Sequence, residues 1–373
     1  MKTITTLCML LLTIVLHAQT VTTVTEGAFL DGFGITSNGD VYCTNFNGNE
    51  VFKYEFSTGN VTTFATGFVN PNGIGVTNDD TLYICEKGGG TIHIYNTDGD
   101  VLDTVTGLNN PTGVKYSALD DTVLWVSYDQ SSLNVIDPET LESEIVIQGA
   151  PLNGPSGIAF IGDQTYISNF NDRKIFRLEE DDTLTEIAQL PASAAQNNFL
   201  GFLTSKGGFL YATQFGEHRI YRIDPETGDV FLFAGSTQGN ADGNLDTATF
   251  NLPNGILGDD TNDRIYISDF ATANLRIIEN ASLSVNAFAK ADTSIYLFSN
   301  PQSDTITIKG TLVKAETYTM WVYTSSGELV KTTNGIVESG VLQTTLNTST
   351  WSKGVYLVKI QAGDTVVTKK VVK

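Results

Sequence analysis

The chain has 373 residues, of which 41% are hydrophobic and 10% aromatic, enough to bury one large core or two separate ones. Its formal net charge at pH 7 is −21, and residues 19–292 alone carry 12 Lys and Arg against 37 Asp and Glu. A body this acidic repels nucleic-acid phosphates and anionic lipid, which excludes nucleic-acid binding, and it attracts divalent cations.

Residues 1–18 have the features of an export signal. Lys2 gives a positive flank, the ten-residue segment LCMLLLTIVL is almost entirely apolar, and Ala18 is suited to cleavage. This segment is too short to cross a bilayer, and no later segment is long and apolar enough to do so. The sequence therefore predicts a signal peptide over 1–18 and no transmembrane span after its removal.

The next part of the chain repeats a short pattern. Proline, a variable residue, glycine and an aliphatic residue recur as PNGI, PTGV, PSGI and again PNGI. Aligned on this pattern, six glycines are spaced 40 to 54 residues apart, and they are Gly32, Gly73, Gly113, Gly157, Gly201 and Gly255. Each is followed by an aromatic-led strand, namely VYCTNF, LYICEK, LWVSYD, TYISNF, LYATQF or IYISDF. Four short strands per repeat and few helix signals predict an all-β fold, a six-bladed β-propeller over 19–280.

The last repeat shows three strands instead of four. The missing outer strand is expected to be VTTVTEG at 21–27, because it nearly duplicates VTTFATG at 61–67, the outer strand of the first repeat. The first strand of the mature chain would then close the ring against the last blade and remove an open sheet edge.

The glycines are expected where the innermost strands approach the axis, since a residue without Cβ lets six backbones come close. The residues before them are predicted to face a central funnel, and they are Asp31, Asn72, Thr112, Ser156, Leu200 and Asn254. Polar residues that end the second strands are predicted to lie near the same mouth, and they are Asn45, Glu86, Asn169 and Asp269.

The runs EHRIYRID and FAGSTQGNADGNLDTATFNLPNGI resemble the NHL-repeat family in a His-Arg-Ile strand, an Asp-Gly loop and a Pro-x-Gly strand start. The resemblance is strongest over 217–280 and implies a binding or scaffold propeller. The wider clan includes gluconolactonase-like calcium hydrolases, and Asp31-Gly32 matches the first acidic residue of their metal ring. Two other positions depart from that ring. Ser156-Gly157 and Leu200-Gly201 stand where the family has its metal-binding Asn and the Asp that resembles a general base.

Two groups of residues are candidate Ca²⁺ ligands, because Ca²⁺ binds oxygen donors. The first group is in the funnel and comprises Asp31, Asn72 and Asn254. The second group alternates along the loop GNADGNLD and comprises Asn240, Asp242, Asn244 and Asp246. For the funnel, the other reading is that polar residues line it because water fills it. For the loop, the NHL resemblance explains Asp242-Gly243 without a metal.

After a small, polar linker over 281–292, residues 293–373 alternate apolar and polar residues as in a small, Ig-like β-sandwich. They closely resemble the type A C-terminal sorting domain of the type IX secretion system. The matching residues are Asn300, Pro301, Tyr323, Gly327, Gly354, Tyr356, Lys369 and Lys370. The resemblance implies a translocon as partner and a final location at the cell surface or in the medium.

For function, the sequence favours an exported propeller that binds a ligand, glycan or protein at its mouth. Common catalytic motifs such as His-Glu-x-x-His and Gly-x-Ser-x-Gly are absent. The alternative is a Ca²⁺-dependent, gluconolactonase-like hydrolase of a lactone or ester in the funnel. A third possibility is a surface structural protein without a soluble ligand.

Overall fold

The computed structural model describes residues 19–193, 195–281, 293–299, 305–312, 317–324, 327–337, 341–362 and 365–373. The described residues form strands and turns, with none in a helix, and they include no helix that could cross a membrane. The chain divides into two compact units, Met1–Ala281 and Ser282–Lys373. The predicted signal peptide and nearly all of the predicted linker lie outside the described residues.

Six antiparallel sheets make up the described part of the first unit. Strand β1 (Thr20–Thr25) precedes them in the chain. The first three sheets follow in order as β2 (Phe33–Ile35), β3 (Val41–Thr44), β4 (Glu50–Tyr54) and β5 (Val61–Thr66); β6 (Pro71–Val76), β7 (Leu82–Glu86), β8 (Thr91–Tyr95) and β9 (Val101–Val105); and β10 (Pro111–Ser117), β11 (Thr122–Ser127), β12 (Ser132–Ile136) and β13 (Ser143–Gln148).

The remaining three sheets continue the series. The fourth and fifth sheets are β14 (Pro155–Ile161), β15 (Gln164–Asn169), β16 (Lys174–Leu178) and β17 (Leu184–Gln189); and β18 (Leu200–Lys206), β19 (Phe209–Gln214), β20 (Arg219–Ile223) and β21 (Val230–Ala234). The sixth contains β22 (Gly243–Asn244), β23 (Pro253–Asp259), β24 (Arg264–Asp269) and β25 (Asn274–Glu279), together with β1. Its spatial order is β23-β24-β25-β1-β22.

Strand β1 therefore joins the last sheet, as the near-duplicate sequences predicted. It runs antiparallel to β25, with Thr20 opposite Glu279 and Thr23 opposite Arg276. Val21 is fully buried in a cluster shared by the fifth and sixth sheets. This pairing covers the edge of β25 that would otherwise be open to another strand.

Apolar side chains fill the space between neighbouring sheets. Six buried clusters are present in the described part of this unit, and each combines residues of two consecutive sheets, including the sixth with the first. The cluster between sheets six and one, for example, contains Leu257, Tyr266 and Ile277 on one side and Phe33 and Tyr54 on the other. Sheets stacked face to face in this way form a β-propeller.

The first strand of each sheet packs against the first strand of the next, and β23 packs against β2. Glycine is needed at these contacts. A Cβ on Gly73 would lie 2.4 Å from the carbonyl oxygen of Thr112, and a Cβ on Gly255 would lie 1.9 Å from that of Asp31. The repeated glycine thus marks the closest backbone approach.

The second unit contains two antiparallel sheets around one core. Its strands are β26 (Thr293–Ser299), β27 (Thr305–Leu312), β28 (Thr317–Thr324), β29 (Leu329–Ile336), β30 (Val341–Asn347), β31 (Val355–Ala362) and β32 (Thr365–Val372). The sheet orders are β26-β27-β30 and β29-β28-β31-β32. Ile308 and Leu342 of one sheet share a buried cluster with Met320 and Val358 of the other.

The predicted sorting-domain residues are spread over this unit. Tyr323 lies in β28, and Gly327 occupies a turn with a φ of 87°, a conformation that favours glycine. The amide and carbonyl of Gly354 pair with those of Lys373, and the Tyr356 hydroxyl donates to the Ser352 carbonyl at 2.8 Å. Lys369 and Lys370 lie in β32, whereas Asn300 and Pro301 lie outside the described residues.

The buried position of β1 leads to a stability prediction. Val21→Ala is expected to lower the free energy of unfolding by about 2 kcal/mol, because it leaves a cavity between the last two sheets. Thr22→Ala is the matched control, since Thr22 is exposed on the same strand. Urea unfolding measures both variants. Equal midpoints for the two variants would contradict the role of β1 as a buried closing strand.

Candidate functional site

A cavity of about 250 Å³ opens at the end of the axis where the inner strands begin. We call it the mouth cavity. Its lining residues are Asp31, Phe46, Asn72, Lys87, Thr112, Tyr128, Ser156, Phe170, Gly201, Phe202, Phe215, Asn254 and Phe270. All six sheets contribute to this list, so the cavity lies where the whole ring converges.

The floor of the mouth cavity is polar. It comprises Asp31, Asn72, Thr112, Ser156 and Asn254, each of which precedes the repeated glycine. All five residues are buried, with exposures between 3% and 8%. The structure thus brings together five of the six residues that the sequence predicted for the funnel.

The sixth funnel prediction, Leu200, is wrong. Leu200 pairs with Gln214 in the position that Pro71 occupies opposite Glu86, and its side chain is fully buried between sheets. Gly201 therefore takes the floor position, and the bulky Phe202 stands where the other sheets have glycine. The strand register is displaced by one residue relative to the glycine alignment, which moves each side chain to the other face.

Asp31 is the carboxylate of the floor. Its two oxygens accept hydrogen bonds from the amide nitrogens of Asn254 and Asn72, at 2.8 and 3.4 Å. Burial raises the pKa of Asp31 well above its usual range, and the nearby positive charge of Lys87 opposes that shift. A ligand group that donates hydrogen bonds or carries positive charge would favour the ionised form.

The two hydroxyl groups of the floor already use their protons. Thr112 Oγ1 donates to the Pro155 carbonyl at 3.0 Å, and Ser156 Oγ donates to the Gly201 carbonyl at 2.6 Å. These bonds connect one inner strand to the next. The hydroxyl oxygens keep lone pairs that can accept from a ligand, so the floor presents mainly hydrogen-bond acceptors.

The wall of the mouth cavity comes from one repeated position at the end of the second strand. It is the residue directly after that strand in sheets two to six, and the second residue after it in the first sheet. Its six members are Phe46, Lys87, Tyr128, Phe170, Phe215 and Phe270. All six are half-buried. These residues were not predicted from the sequence, although four of the six aligned runs end in Phe. In the third run, LWVSYD, the equivalent residue Tyr128 is the fifth letter and not the sixth.

Lys87 fits between two of these aromatic side chains. Its Nζ lies 5.4 Å from the ring centre of Phe46 and 4.9 Å from that of Tyr128, within the range of cation–π attraction. On the opposite side, the rings of Phe215 and Phe270 meet edge to face, with centroids 5.5 Å apart. The wall is therefore aromatic around its circumference with one ammonium group in it.

The polar residues predicted at the ends of the second strands do not line the mouth cavity. Asn45 donates to Glu50, and Asn169 donates to the carbonyl of Pro151. Glu86 accepts a hydrogen bond from the backbone amide of Val69 and contacts His93. In the last sheet, Asp269 likewise accepts from the backbone amide of Asn251 and pairs with Arg276. Consecutive strand residues point to opposite faces, so these side chains hold loops while their successors form the wall.

Arg276 contacts Asp242, one of the four residues of the second predicted calcium site. It is fully buried, and its Nη2 donates to Asp242 Oδ1 at 3.0 Å. The two oxygens of Asp242 also accept from the backbone amide and the hydroxyl of Thr23 in β1. The loop carboxylate thus binds a guanidinium group and fastens the closing strand.

The other three residues of that loop are exposed. Asn240 and Asp246 lie on the surface, and Asn244 pairs through its backbone with Thr20 of β1. Among the described residues, no three or more His, Cys, Asp or Glu side chains are grouped as metal ligands. This loop serves the closure of the last sheet.

The donor set of the mouth cavity fits a divalent cation poorly. Ca²⁺ takes six to eight oxygen ligands, whereas the floor offers one carboxylate, Asp31, whose oxygens accept from two amides. Lys87 places a positive charge in the same cavity, and burial raises the pKa of Asp31, which disfavours its ionised form. The arrangement suits hydrogen bonding to an organic group better than coordination of a metal ion.

Residues 296–373 match the family described as secretion system C-terminal sorting domain. This domain indicates export through the type IX secretion system to the cell surface or the medium, and that prediction is confirmed. No curated protein sequence matches the chain.

Solved structures share the fold of the first unit. An auxiliary nutrient binding protein from Bacteroides thetaiotaomicron has a TM-score of 0.58 at 18% identity, with 70% of this chain and 76% of that chain covered. A gluconolactonase from Xanthomonas campestris has a TM-score of 0.56 at 15% identity, with 70% and 89% covered. A virginiamycin B lyase from Staphylococcus aureus has a TM-score of 0.51 at 18% identity, with 68% and 82% covered. At sequence identities this low, the similarity shows a shared propeller fold and nothing about function.

Asp269 gives the first unit a testable pH dependence. Burial raises the pKa of this carboxyl to about 6, although Arg276 opposes the shift. The unfolded carboxyl loses its proton first, near its ordinary pKa of 3.8, so the unfolding free energy falls as the pH rises from about 4 to about 7. This group contributes about 3 kcal/mol to that fall.

Asp269→Asn removes this contribution. The stability difference between the native protein and the variant should shrink by about 3 kcal/mol over that pH range, as measured by urea unfolding at several pH values. Parallel pH profiles for the two proteins would contradict the assignment.

Proposed function

We propose that the chain is an exported, six-bladed propeller that binds a small organic ligand in the mouth cavity. The observation that carries the proposal is the convergence of an acceptor-rich floor and an aromatic wall, built by all six sheets at two repeated positions. Ligand sites in proteins are concave and mostly apolar, with a few convergent polar groups that set orientation. The mouth cavity has this composition.

The six-bladed ring is supported by the contacts between sheets. Each of the six sheets shares a buried cluster with both neighbours, and the sixth shares one with the first. Closure of the ring makes the mouth cavity a rigid, preformed site. A preformed site loses less conformational entropy on binding than a flexible one.

The comparisons agree with a binding role. The auxiliary nutrient binding protein from Bacteroides thetaiotaomicron shares the fold. A nutrient such as a glycan would stack an apolar face on the wall and donate hydroxyl protons to the floor. We therefore include glycans among the candidate ligands, together with other small molecules and peptide termini.

The second unit provides delivery. We propose that residues 1–18 direct the first membrane crossing, and that an Ig-like sandwich over 293–373 then engages the type IX translocon. Two sheets around a shared core support the sandwich architecture. The predicted linker 281–292 would connect the sorting domain to the ligand-binding unit.

The wall residue Phe270 offers a direct test of the binding role. A ligand found by screening glycans and small metabolites should bind Phe270→Ala about tenfold more weakly than the native protein, because one aromatic face is lost. Phe231→Ala is the matched control, since Phe231 is 43% exposed on β21, away from the mouth cavity. Isothermal titration calorimetry measures the affinities. Unchanged affinity in Phe270→Ala would place the ligand elsewhere.

The alternative function is a Ca²⁺-dependent lactone or ester hydrolase. The observation in its favour is that Asp31, Asn72 and Asn254 do lie together at the floor, and a gluconolactonase shares the fold. Against it stands the single carboxylate of the floor, whose two oxygens already accept hydrogen bonds from Asn72 and Asn254.

We therefore expect no chelator-sensitive hydrolysis of a lactone panel, with Ca²⁺ added or removed. Hydrolysis that requires Ca²⁺ and disappears in Asn254→Ala would establish the alternative and displace the binding proposal. A variant with normal unfolding behaviour is required for that comparison, because Asn254 also braces Asp31.

A further inference from the structure

Lys87 departs from the repeated wall position. The other five sheets place an aromatic side chain there, and the second sheet places a lysine. Its ammonium group lies against the ring faces of Phe46 and Tyr128, which belong to the sheets on either side. A cation from the protein itself thus occupies part of an aromatic cage.

The rest of the mouth cavity presents negative potential. Asp31 contributes a buried carboxylate, and the Thr112 and Ser156 hydroxyls contribute free lone pairs. Aromatic faces are negative because of their quadrupole. The surrounding residues 19–292 carry a large excess of Asp and Glu. Among the described residues that line the cavity, Lys87 is the one cation.

We propose that the ligand of the mouth cavity is an organic cation with an ammonium group, and that Lys87 acts as a tethered substitute for it. This inference rests on the proposed binding function of the same cavity. In the free protein, Lys87 supplies the positive charge that favours ionised Asp31, and its ammonium group lies between two rings. The incoming ammonium group displaces Lys87, lies over Asp31 and contacts the aromatic wall, and the long lysine side chain turns outward to solvent.

Charge argues against an anionic ligand. A carboxylate could pair with Lys87, but it would lie in the same cavity as Asp31 and would approach through the field of an acidic protein. Aromatic cages bind quaternary ammonium groups, because a diffuse cation gains from several ring faces at little desolvation cost. A cationic ligand would contact both the acidic floor and the aromatic wall.

Choline is a suitable probe, and its neutral isostere 3,3-dimethyl-1-butanol is the matched control ligand. Lys87→Gln should bind choline about tenfold more tightly than the native protein at low ionic strength, because the tethered competitor is removed. The same variant should prefer choline over the neutral isostere by about tenfold. Adding Asp31→Asn to Lys87→Gln should reverse the gain.

Lys174→Gln controls for the change in net charge, because Lys174 pairs with Glu186 on the outer strands of the fourth sheet, away from the cavity. It should bind choline as the native protein does. Lys87→Met repeats the test in case the Gln variant folds poorly. Calorimetry or NMR titration gives the affinities.

Equal choline affinity in the native protein and both Lys87 variants would overturn the proposal. Equal affinity for choline and its neutral isostere would overturn it too, as would binding of acetate or gluconate that Lys87→Gln abolishes. A neutral glycan whose binding is lost in Phe270→Ala, combined with no choline binding, would refute the cation and leave the binding function standing. If no probe binds in a manner sensitive to Phe270, the cavity itself is not the site.

Discussion

The structure depends on how closely six backbones approach one another around a single axis. At Gly255 an added Cβ would lie 1.9 Å from the carbonyl oxygen of Asp31, and at Gly73 it would lie 2.4 Å from that of Thr112. A Cβ does not fit at these two contacts, so glycine allows the inner strands to approach there, whereas Phe202 takes the equivalent position in the fifth sheet. The same crowding forces the preceding residues to converge, and a repeated strand start becomes a shared polar floor.

Repetition then gives the site its chemistry. A position used once per sheet meets its copies around the axis, which is why five aromatic side chains and Lys87 form a wall although they are far apart in the sequence. The floor takes a carboxylate out of water, and burial raises the pKa of Asp31. The positive charge of Lys87, in the wall, opposes this rise in the pKa of Asp31. Each pair of neighbouring sheets has its own buried core, whereas the mouth cavity needs residues from all six sheets.

Much of this could be predicted from the sequence, because glycine spacing and strand patterns are local signals. The pairing of β1 with the last sheet followed from the likeness of VTTVTEG to VTTFATG. Two kinds of error came from information that is not local. Leu200 was assigned to the floor because Gly201 matched the repeated glycine. The sequence does not show that the register of this strand is displaced by one residue. The wall was missed because alternation along a strand fixes which residues share a face but not which face meets the cavity. Asp242 also lies 34 residues from Arg276, so its ion pair with that guanidinium group could not be predicted from the sequence.

The pairing of β1 with β25 has a consequence for how the first unit folds. Thr20 lies opposite Asn244 of β22 on one side and Glu279 of β25 on the other, so β1 precedes both of its partner strands by most of the length of the first unit. Contacts that span so much of a chain close slowly. Any product cut short before Asn274 would lack both the strand that receives β1 and Arg276, which anchors its loop. Such a fragment would lose Leu275 and Ile277 from the core between the last and first sheets, and the apolar surface left exposed would make it a target for proteases.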